Sequence, residues 1–389
     1  MIPPLGRLFA AVVLVNGVFD AIRVAVSYRV LALGGDATTV GLVAATFAVV
    51  PMLLALRIGR LVDRRGSKGI LVAGIATSAV AVAGAAAAPT LSLLAAANTV
   101  LGLGQIMTLI GAQGFVMELL ERDRHVDGFA MFTLAVSVGQ SVGTPAMGLL
   151  LRAGPDGAVE TGLPLLVTAA VIAAALPFAL SLPRRPRPAD GPPGRDGSAS
   201  MTALLARPGM APAVFASLVV VSGIDLLTAY LPVVGQHAGL TPLAVTLLVA
   251  TRSVFSMVAR AATPWVLRRW SQAAVLVAAP LVATPALVVI GLSGEVLVLG
   301  AALAAIGLVW GLNQPVTMSW VTAAAPRDHR AAALSLRITG NRAAQVVMPL
   351  AAGAVAGAVG PGGVFLLSGA VSAATVATTA ASLRRGNGP

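Results

Sequence analysis

The sequence predicts an all-α membrane protein with twelve transmembrane helices in two pseudo-symmetric six-helix bundles, and three observations support this prediction. First, the 389 residues are 57% hydrophobic and only 10% charged, whereas about a quarter of the residues of a soluble domain are charged. Second, the apolar residues fall into twelve stretches of the roughly 20 residues that cross a bilayer core. Third, a segment rich in proline and arginine separates six stretches from the other six. These observations exclude soluble multi-domain architectures.

The predicted helices follow one another with short connections. The first six form an N-terminal bundle over residues 1–182 and the last six a C-terminal bundle over 212–389. Between them, residues 183–211 have a composition that neither spans a bilayer nor folds compactly, so we predict a cytoplasmic linker there. The first helix is too long and too charged for a cleaved signal peptide, and we expect it to be retained. The helices are predicted at 8–33, 38–58, 69–88, 91–117, 128–152, 161–182, 212–236, 241–266, 272–293, 295–320, 330–357 and 361–383.

An internal repeat supports the division into two halves. A constant offset of 205 residues relates Asp20 to Asp225, Gly102 to Gly307 and Gln140 to Gln345. Two halves in parallel orientation place a binding site between them near the middle of the membrane.

The distribution of basic residues predicts the topology. Of the 26 lysines and arginines, 19 fall in one set of loops or helix ends, six lie inside helices, and only Arg152 falls in the opposite set. Basic loops stay in the cytoplasm, so we predict a protein of the cytoplasmic membrane with both termini inside. The net charge of +12 is therefore a topology signal, and we expect no nucleic-acid partner. Without cysteine and with three scattered histidines, the sequence predicts no metal site and no cofactor.

Ionisable side chains inside the predicted helices are the strongest functional signal. Each costs at least about 2.5 kcal/mol on insertion scales and usually faces a cavity. They form polar stripes with helical spacing: Asp20 and Arg23 share one face of helix 1, and Arg252 and Arg260 share one face of helix 8. Amide side chains in helices 4, 10 and 11 extend the polar set. The candidate residues of a substrate or proton path are Asp20, Arg23, Asn98, Asp225, Arg252, Asn313, Gln314, Arg337 and Asn341.

Two interpretations of Asp20 are open. Burial near mid-depth favours a carboxylate that binds a proton or cation, whereas Arg23, one turn away, favours a structural ion pair. Asp225 has no charged neighbour within a turn, so its partner must come from another helix, and Arg252 or Arg337 can supply it. Six interior arginines against two interior aspartates favour an anionic solute over a cationic one.

The stretch from Gly59 to Lys68 carries the most specific motif. Its residues resemble the pattern Gly-x-Leu-x-Asp-Arg-x-Gly-x-Lys in the loop between helices 2 and 3 of the major facilitator superfamily, and all six fixed positions match. The alternative is an ordinary basic cytoplasmic loop. The resemblance implies that Asp63 engages a helix of the opposite half as a conformational latch. It also implies that Gly59 and Gly66 permit close approach and a tight turn, and that Arg64 and Lys68 hold the loop at the membrane surface.

The same resemblance implies a secondary active transporter that moves a small molecule through the lipid bilayer by alternating access. Proton-coupled efflux is the leading hypothesis. The alternatives are uptake or exchange of an organic anion, and a non-transporting membrane sensor on the same scaffold. We expect no enzymatic activity and a monomer. Drug exporters of the family commonly carry an arginine in helix 4 where this chain has Asn98, so that subfamily is matched only in part.

Overall fold

The computed structural model describes residues 3–120, 125–153, 159–183, 201–326 and 329–386. These residues are almost entirely helical, which confirms the predicted all-α membrane class. Two antiparallel strands of two residues each, β1 (Arg152–Ala153) and β2 (Val159–Glu160), pair between α6 and α7. The helices are α1 (Pro4–Gly17), α2 (Phe19–Ala32), α3 (Ala37–Arg65), α4 (Ser67–Ala87), α5 (Leu91–Leu119), α6 (His125–Gly148), α7 (Gly162–Ala173), α8 (Leu176–Leu180), α9 (Met201–Leu205), α10 (Met210–His237), α11 (Pro242–Arg269), α12 (Gln272–Leu292), α13 (Val296–Ala324), α14 (Arg330–Val359) and α15 (Gly362–Arg384).

Eleven helical segments of the described chain are long and apolar enough to cross a membrane. Helices α1 and α2 together make one of them, as do α7 and α8. The twelfth predicted span corresponds to α6. This helix falls short in hydropathy because hydroxyl and amide side chains interrupt its apolar run: Thr133, Ser137, Gln140, Ser141 and Thr144.

Side-chain caps and glycine turns set the helix boundaries. Asp36 begins α3 by accepting hydrogen bonds from the backbone nitrogen (2.8 Å) and hydroxyl (2.7 Å) of Thr39. These bonds hold the pKa of the Asp36 carboxyl below its usual range. Thr241 and Ser271 begin α11 and α12 in the same way. Such caps satisfy amide groups that the first helical turn leaves without partners.

The predicted loop at Gly59–Lys68 is mostly helical. Helix α3 continues to Arg65, α4 begins at Ser67, and Gly66 alone separates them with φ +81°. The prediction ended helix 2 at residue 58, where charged residues begin. A helix satisfies its backbone hydrogen bonds locally, so it continues into water beyond the bilayer. The tight turn at Gly66 is present as expected, because glycine adopts positive φ without strain.

The molecule is closed at one end. We call the end where α3 and α11 finish with their paired arginines the basic end, and the other the Arg152 end. At the Arg152 end α3 crosses α14 so closely that a Cβ atom added at Gly41 would lie 2.4 Å from the Pro349 carbonyl oxygen. The Tyr230 hydroxyl of α10 donates to the Ala37 carbonyl oxygen at 3.0 Å. Helices of the N- and C-terminal parts of the chain therefore touch directly at this end.

Candidate functional site: crossed ion pairs and a cavity

Two buried ion pairs connect α2 to α10 and α11. Arg23 pairs with Asp225 of α10, and the two side chains are 11% and 7% exposed. Asp20 pairs with Arg252 of α11, with 3.1 Å between Oδ2 and Nη2, and the two side chains are 5% and 6% exposed. Each pair joins a residue before the predicted linker to one after it. Buried charges at this depth must be paired, because an unpaired one carries a large desolvation cost.

A fourth helix, α14, reaches the same cluster. The second carboxylate oxygen of Asp225 accepts a hydrogen bond from Gln345 Nε2 of α14 at 2.5 Å. Arg342 Nη1 in turn donates to Gln345 Oε1 at 2.9 Å. Asp225 therefore contacts Arg23 of α2 and Gln345 of α14, and the Gln345 amide links it to a second arginine, Arg342.

Aromatic rings set the direction of Arg23. Its guanidinium carbon lies 5.3 Å from the ring centroid of Phe47 and 5.9 Å from that of Phe19. Cation–π contacts of this length are worth about 0.5–2 kcal/mol, more as water is excluded. The rings hold Arg23 against α10.

The crossed pairing overturns two expectations. The hypothesis of an ion pair between Asp20 and Arg23 on one helix is wrong, because each residue finds its opposite charge on another helix. The proposed partners of Asp225, Arg252 or Arg337, are also wrong, since Arg23 takes that place. Helical spacing shows which side chains share a face, but the closest opposite charge comes from the helix that this face meets.

A cavity of about 780 Å³ lies in the half of the molecule nearer the basic end, between α6, α11, α13 and α14. Arg260 lines it and donates from Nη1 to the Ser137 hydroxyl at 3.1 Å. Arg337 lines it from α14, and its Nε is buried without a hydrogen-bond partner. No carboxylate is found among the lining residues: Thr133, Leu134, Ser137, Met257, Arg260, Ala261, Thr263, Pro264, Gln314, Pro315, Met318 and Arg337.

The predicted amide residues divide between the cavity and helix contacts. Gln314 lines the cavity. Asn98 instead braces α5 against α3, since its Nδ2 donates to the Val43 carbonyl oxygen at 2.7 Å. Asn341 accepts from the Ser217 hydroxyl at 3.2 Å and so links α14 to α10. Asn313 is buried with its Oδ1 unpaired. Asn98 also lines a small cavity beside Arg23, and a role of Asn98 and Asn341 in the path stays a prediction.

Comparison with known proteins places this architecture. Residues 8–330 match the family model described as Major Facilitator Superfamily. The chain belongs to the major facilitator superfamily. No curated protein sequence matches it. This superfamily member is therefore compared with solved structures that have a similar fold.

Solved structures share that fold over nearly the whole chain. The nucleoside transporter NupG is 14% identical with a TM-score of 0.82, over 98% of this chain and 99% of that one. A POT family transporter in complex with a thioalcohol-conjugated peptide is 14% identical with a TM-score of 0.78, over 97% and 95%. A bacterial homologue of the lysosomal transporter Spinster is 13% identical with a TM-score of 0.73, over 97% and 96%. At these identities the likeness is one of fold.

The superfamily motif at Gly59–Lys68 is seen here in part. Lys68 Nζ donates to the Leu180 carbonyl oxygen at 2.6 Å and also to that of Leu182, so it ties α4 to the end of α8. A Cβ atom added at Gly59 would meet nothing within 4 Å, so the close approach expected there is absent in this conformation. Asp63 lies in α3, and its side chain is outside the described part of the chain. Arg64 lies in the last turn of α3. The latch remains a prediction.

The candidate list left out several members of the site, among them Arg260, which was placed only on the polar face of helix 8 with Arg252. Gln345 was placed on one polar face of helix 11 with Arg337 and Asn341 and as the repeat partner of Gln140, but it was not named as a candidate. Phe47 carried no signal, because an aromatic residue in an apolar helix is most often part of the core. With the offset of 205 residues, Phe47 in the first half corresponds in sequence to Arg252 in the second half. Phe47 contacts Arg23 of one ion pair, and Arg252 belongs to the other.

Proposed function

We propose that this superfamily member is a proton-coupled secondary transporter that works by alternating access, with efflux of a small molecule as the direction to test first. The observation that carries the proposal is the crossed arrangement of Asp20–Arg252 and Arg23–Asp225. Both pairs connect the two halves, and each contains a carboxylate that can take up a proton. Structures that share the fold include a nucleoside transporter and a POT family transporter in complex with a thioalcohol-conjugated peptide, which is consistent with transport of a small solute.

Proton binding offers a way to drive the conformational change. A protonated aspartate loses its Coulombic attraction to arginine, so the partner helix is released. Breaking a buried pair on one side alone is costly, by about 3–5 kcal/mol. The protein with a protonated aspartate and the protein with a charged aspartate would therefore favour different conformations, as coupling requires.

Topology gives the proposed orientation in the membrane. The basic end carries the loops that the positive-inside tendency assigns to the cytoplasm, so we propose cytoplasmic termini and the cytoplasmic membrane of a bacterial-type cell. The cavity then faces the cytoplasm while the Arg152 end is closed. An exporter loads its solute in this conformation. We propose that Asp63 latches the basic end when the closure is reversed.

Growth of an efflux-deficient bacterium on a broad panel of toxic compounds tests export. We expect the wild-type chain to protect against at least one compound, and we expect Asp20→Asn and Asp225→Asn to abolish that protection at matched expression. Glu295→Gln, an exposed carboxylate at the start of α13, is the matched control and should protect fully. Protection that survives both aspartate substitutions, or that persists when the proton gradient is collapsed, contradicts the proposal.

Uptake or exchange of an organic anion is the second candidate. It is favoured by Arg260 and Arg337, which line the cavity without an accompanying carboxylate. Proteoliposomes containing the purified chain distinguish the directions: acid outside drives uptake by symport, whereas it drives efflux by exchange. A solute that binds but shows no flux under either gradient would favour the non-transporting sensor instead.

A further inference from the structure

We infer that the cavity at the basic end binds an amphipathic anion, with its acidic group held between Arg260 and Arg337 and its apolar body against α6, α11 and α13. The inference deepens the proposed transport function by naming the class of substrate, and it rests on that function only in treating the ligand as cargo. The class comprises carboxylates, sulfonates and phosphate esters that carry an aromatic or aliphatic body.

The charge of the cavity carries the first step. Arg260 lines the cavity from α11 and Arg337 lines it from α14, so two helices each contribute one cation to the wall. Arginine stays protonated in proteins and binds planar or tetrahedral oxyanions in a fork geometry. Arg260 donates one nitrogen, Nη1, to the Ser137 hydroxyl, and Arg337 lies half-buried at the cavity wall. We assign the remaining guanidinium donors of the two arginines to the ligand.

The rest of the lining selects the body of the ligand. Most of the exposed wall is apolar, from Leu134, Met257, Pro264, Pro315 and Met318. A volume of about 780 Å³ lies within the range of about 300–1,000 Å³ that is usual for small-molecule sites. Methionine side chains adapt to different shapes, so we expect tolerance toward the body and selectivity for the charge.

The cavity communicates with the crossed ion pairs. Arg252 and Arg260 lie eight residues apart on the same face of α11, a separation of about 12 Å along the helix. Both Arg252 and Asp20 act electrostatically on Arg260. An anion beside Arg260 therefore adds negative charge within reach of the Asp20–Arg252 pair. The charge of a bound solute and the charge of the Asp20 carboxylate therefore influence each other through the two arginines of α11.

Equilibrium binding to the purified full chain tests the inference without requiring transport. The probe is naphthalene-2-sulfonate, and naphthalene-2-sulfonamide is its neutral counterpart of nearly equal shape. The protein is held in phosphatidylcholine nanodiscs. We expect the sulfonate to bind at least tenfold more tightly than the sulfonamide, and both Arg260→Gln and Arg337→Gln to weaken it by about tenfold or more, as for a lost charged hydrogen bond. Arg268→Gln, on the same helix but outside the cavity, should leave binding unchanged.

Lysine variants separate charge from folding. If Arg260→Gln or Arg337→Gln disrupted the fold, Arg260→Lys and Arg337→Lys would show whether a cation alone restores part of the binding. Nanodiscs with phosphatidylglycerol distinguish the source of the anion. Competition by this lipid, lost in the glutamine variants, identifies a lipid headgroup as the ligand, and the absence of competition identifies a free solute. Either result supports the anion site.

Equal affinity for sulfonate and sulfonamide, or binding that is unaffected in both glutamine variants, overturns the inference. Failure of the transport proposal looks different: the probe binds with the expected dependence on arginine, yet no gradient drives any flux. Flux of a neutral or cationic solute without anion binding would instead leave transport standing and remove the anion site.

Discussion

The ion pair between Asp20 and Arg252 makes the sharpest prediction. Its atoms are 3.1 Å apart and both side chains are almost fully buried. At an effective dielectric constant of 20, that distance corresponds to an attraction of about 5 kcal/mol, which desolvation of both charges largely offsets. Removing one charge leaves the other without compensation, so Asp20→Asn or Arg252→Gln alone should lower the free energy of unfolding by about 3–5 kcal/mol. The double variant should lie within about 1–2 kcal/mol of the wild type, since no unpaired charge then remains.

Reversible unfolding of the purified chain in mixed detergent micelles, followed by circular dichroism, measures the coupling. A double-mutant cycle between Asp20 and Arg252 should give an interaction energy of at least about 4 kcal/mol, the amount by which the two single effects together exceed the effect of the double variant. The matched cycle pairs Asp20 with Arg23, its neighbour on the same helix. That cycle should give an interaction energy of less than about 1 kcal/mol, because Arg23 is engaged by Asp225 and two neighbours on one helix that are not paired with each other interact only weakly.

Either of two results refutes the crossed pairing. Additive effects in the first cycle, within about 0.5 kcal/mol, would mean that Asp20 and Arg252 do not compensate each other. A larger interaction energy in the second cycle would restore the pairing within α2. Both cycles contain the Asp20→Asn variant. A general destabilisation of the fold by this substitution therefore affects both cycles equally and does not change the comparison.

Three further predictions concern the closed end, the helix braces and the latch. Gly41→Ala places a Cβ atom 2.4 Å from a backbone oxygen of α14, so it should open the Arg152 end and speed maleimide labelling of a cysteine at Thr38 by severalfold; the native chain has no cysteine to interfere. Tyr230→Phe removes one hydrogen bond and should speed the same labelling by less, since one such bond is worth about 1 kcal/mol. Asn98→Ala removes the bond to α3 and should lower the free energy of unfolding by about 1–3 kcal/mol without altering probe affinity, and a weaker affinity would reassign it to the site. Asp63→Asn should slow flux with affinity unchanged, and unchanged flux would count against the latch.

Helix positions were predictable because the bilayer fixes the length of each apolar stretch. Helix α12, expected at 272–293, is Gln272–Leu292, and α5, expected at 91–117, is Leu91–Leu119. The end of α3 was not predictable from hydropathy. Beyond Arg57 the helix carries four charged residues, Arg60, Asp63, Arg64 and Arg65, and still continues for two further turns, because a helix satisfies its backbone hydrogen bonds within itself.

The candidate site was predictable as a set of residues but not as a set of contacts. Asp20, Arg23, Asp225 and Arg252 were identified because charges inside membrane helices are costly and therefore functional or paired. Which charge meets which depends on the rotation and depth of three helices, α2, α10 and α11, and sequence spacing gives neither. The direction of Arg23 is set in part by Phe47, a residue with no polar signal.

Charge linkage between the cavity and the crossed pairs gives a sign for the coupling. An anion beside Arg260 makes the neighbourhood of Asp20 more negative, so proton uptake by Asp20 and anion binding should reinforce each other. Solute and proton that bind together move together, and an inward proton gradient would then drive uptake. An anionic solute therefore favours the second candidate function, uptake, over the efflux that is to be tested first. Export by exchange requires the opposite, a solute that competes with the proton. Probe affinity measured against pH therefore separates the two directions: tighter binding of a permanently charged sulfonate at lower pH, lost in Asp20→Asn, favours anion uptake, whereas weaker binding favours proton-driven efflux.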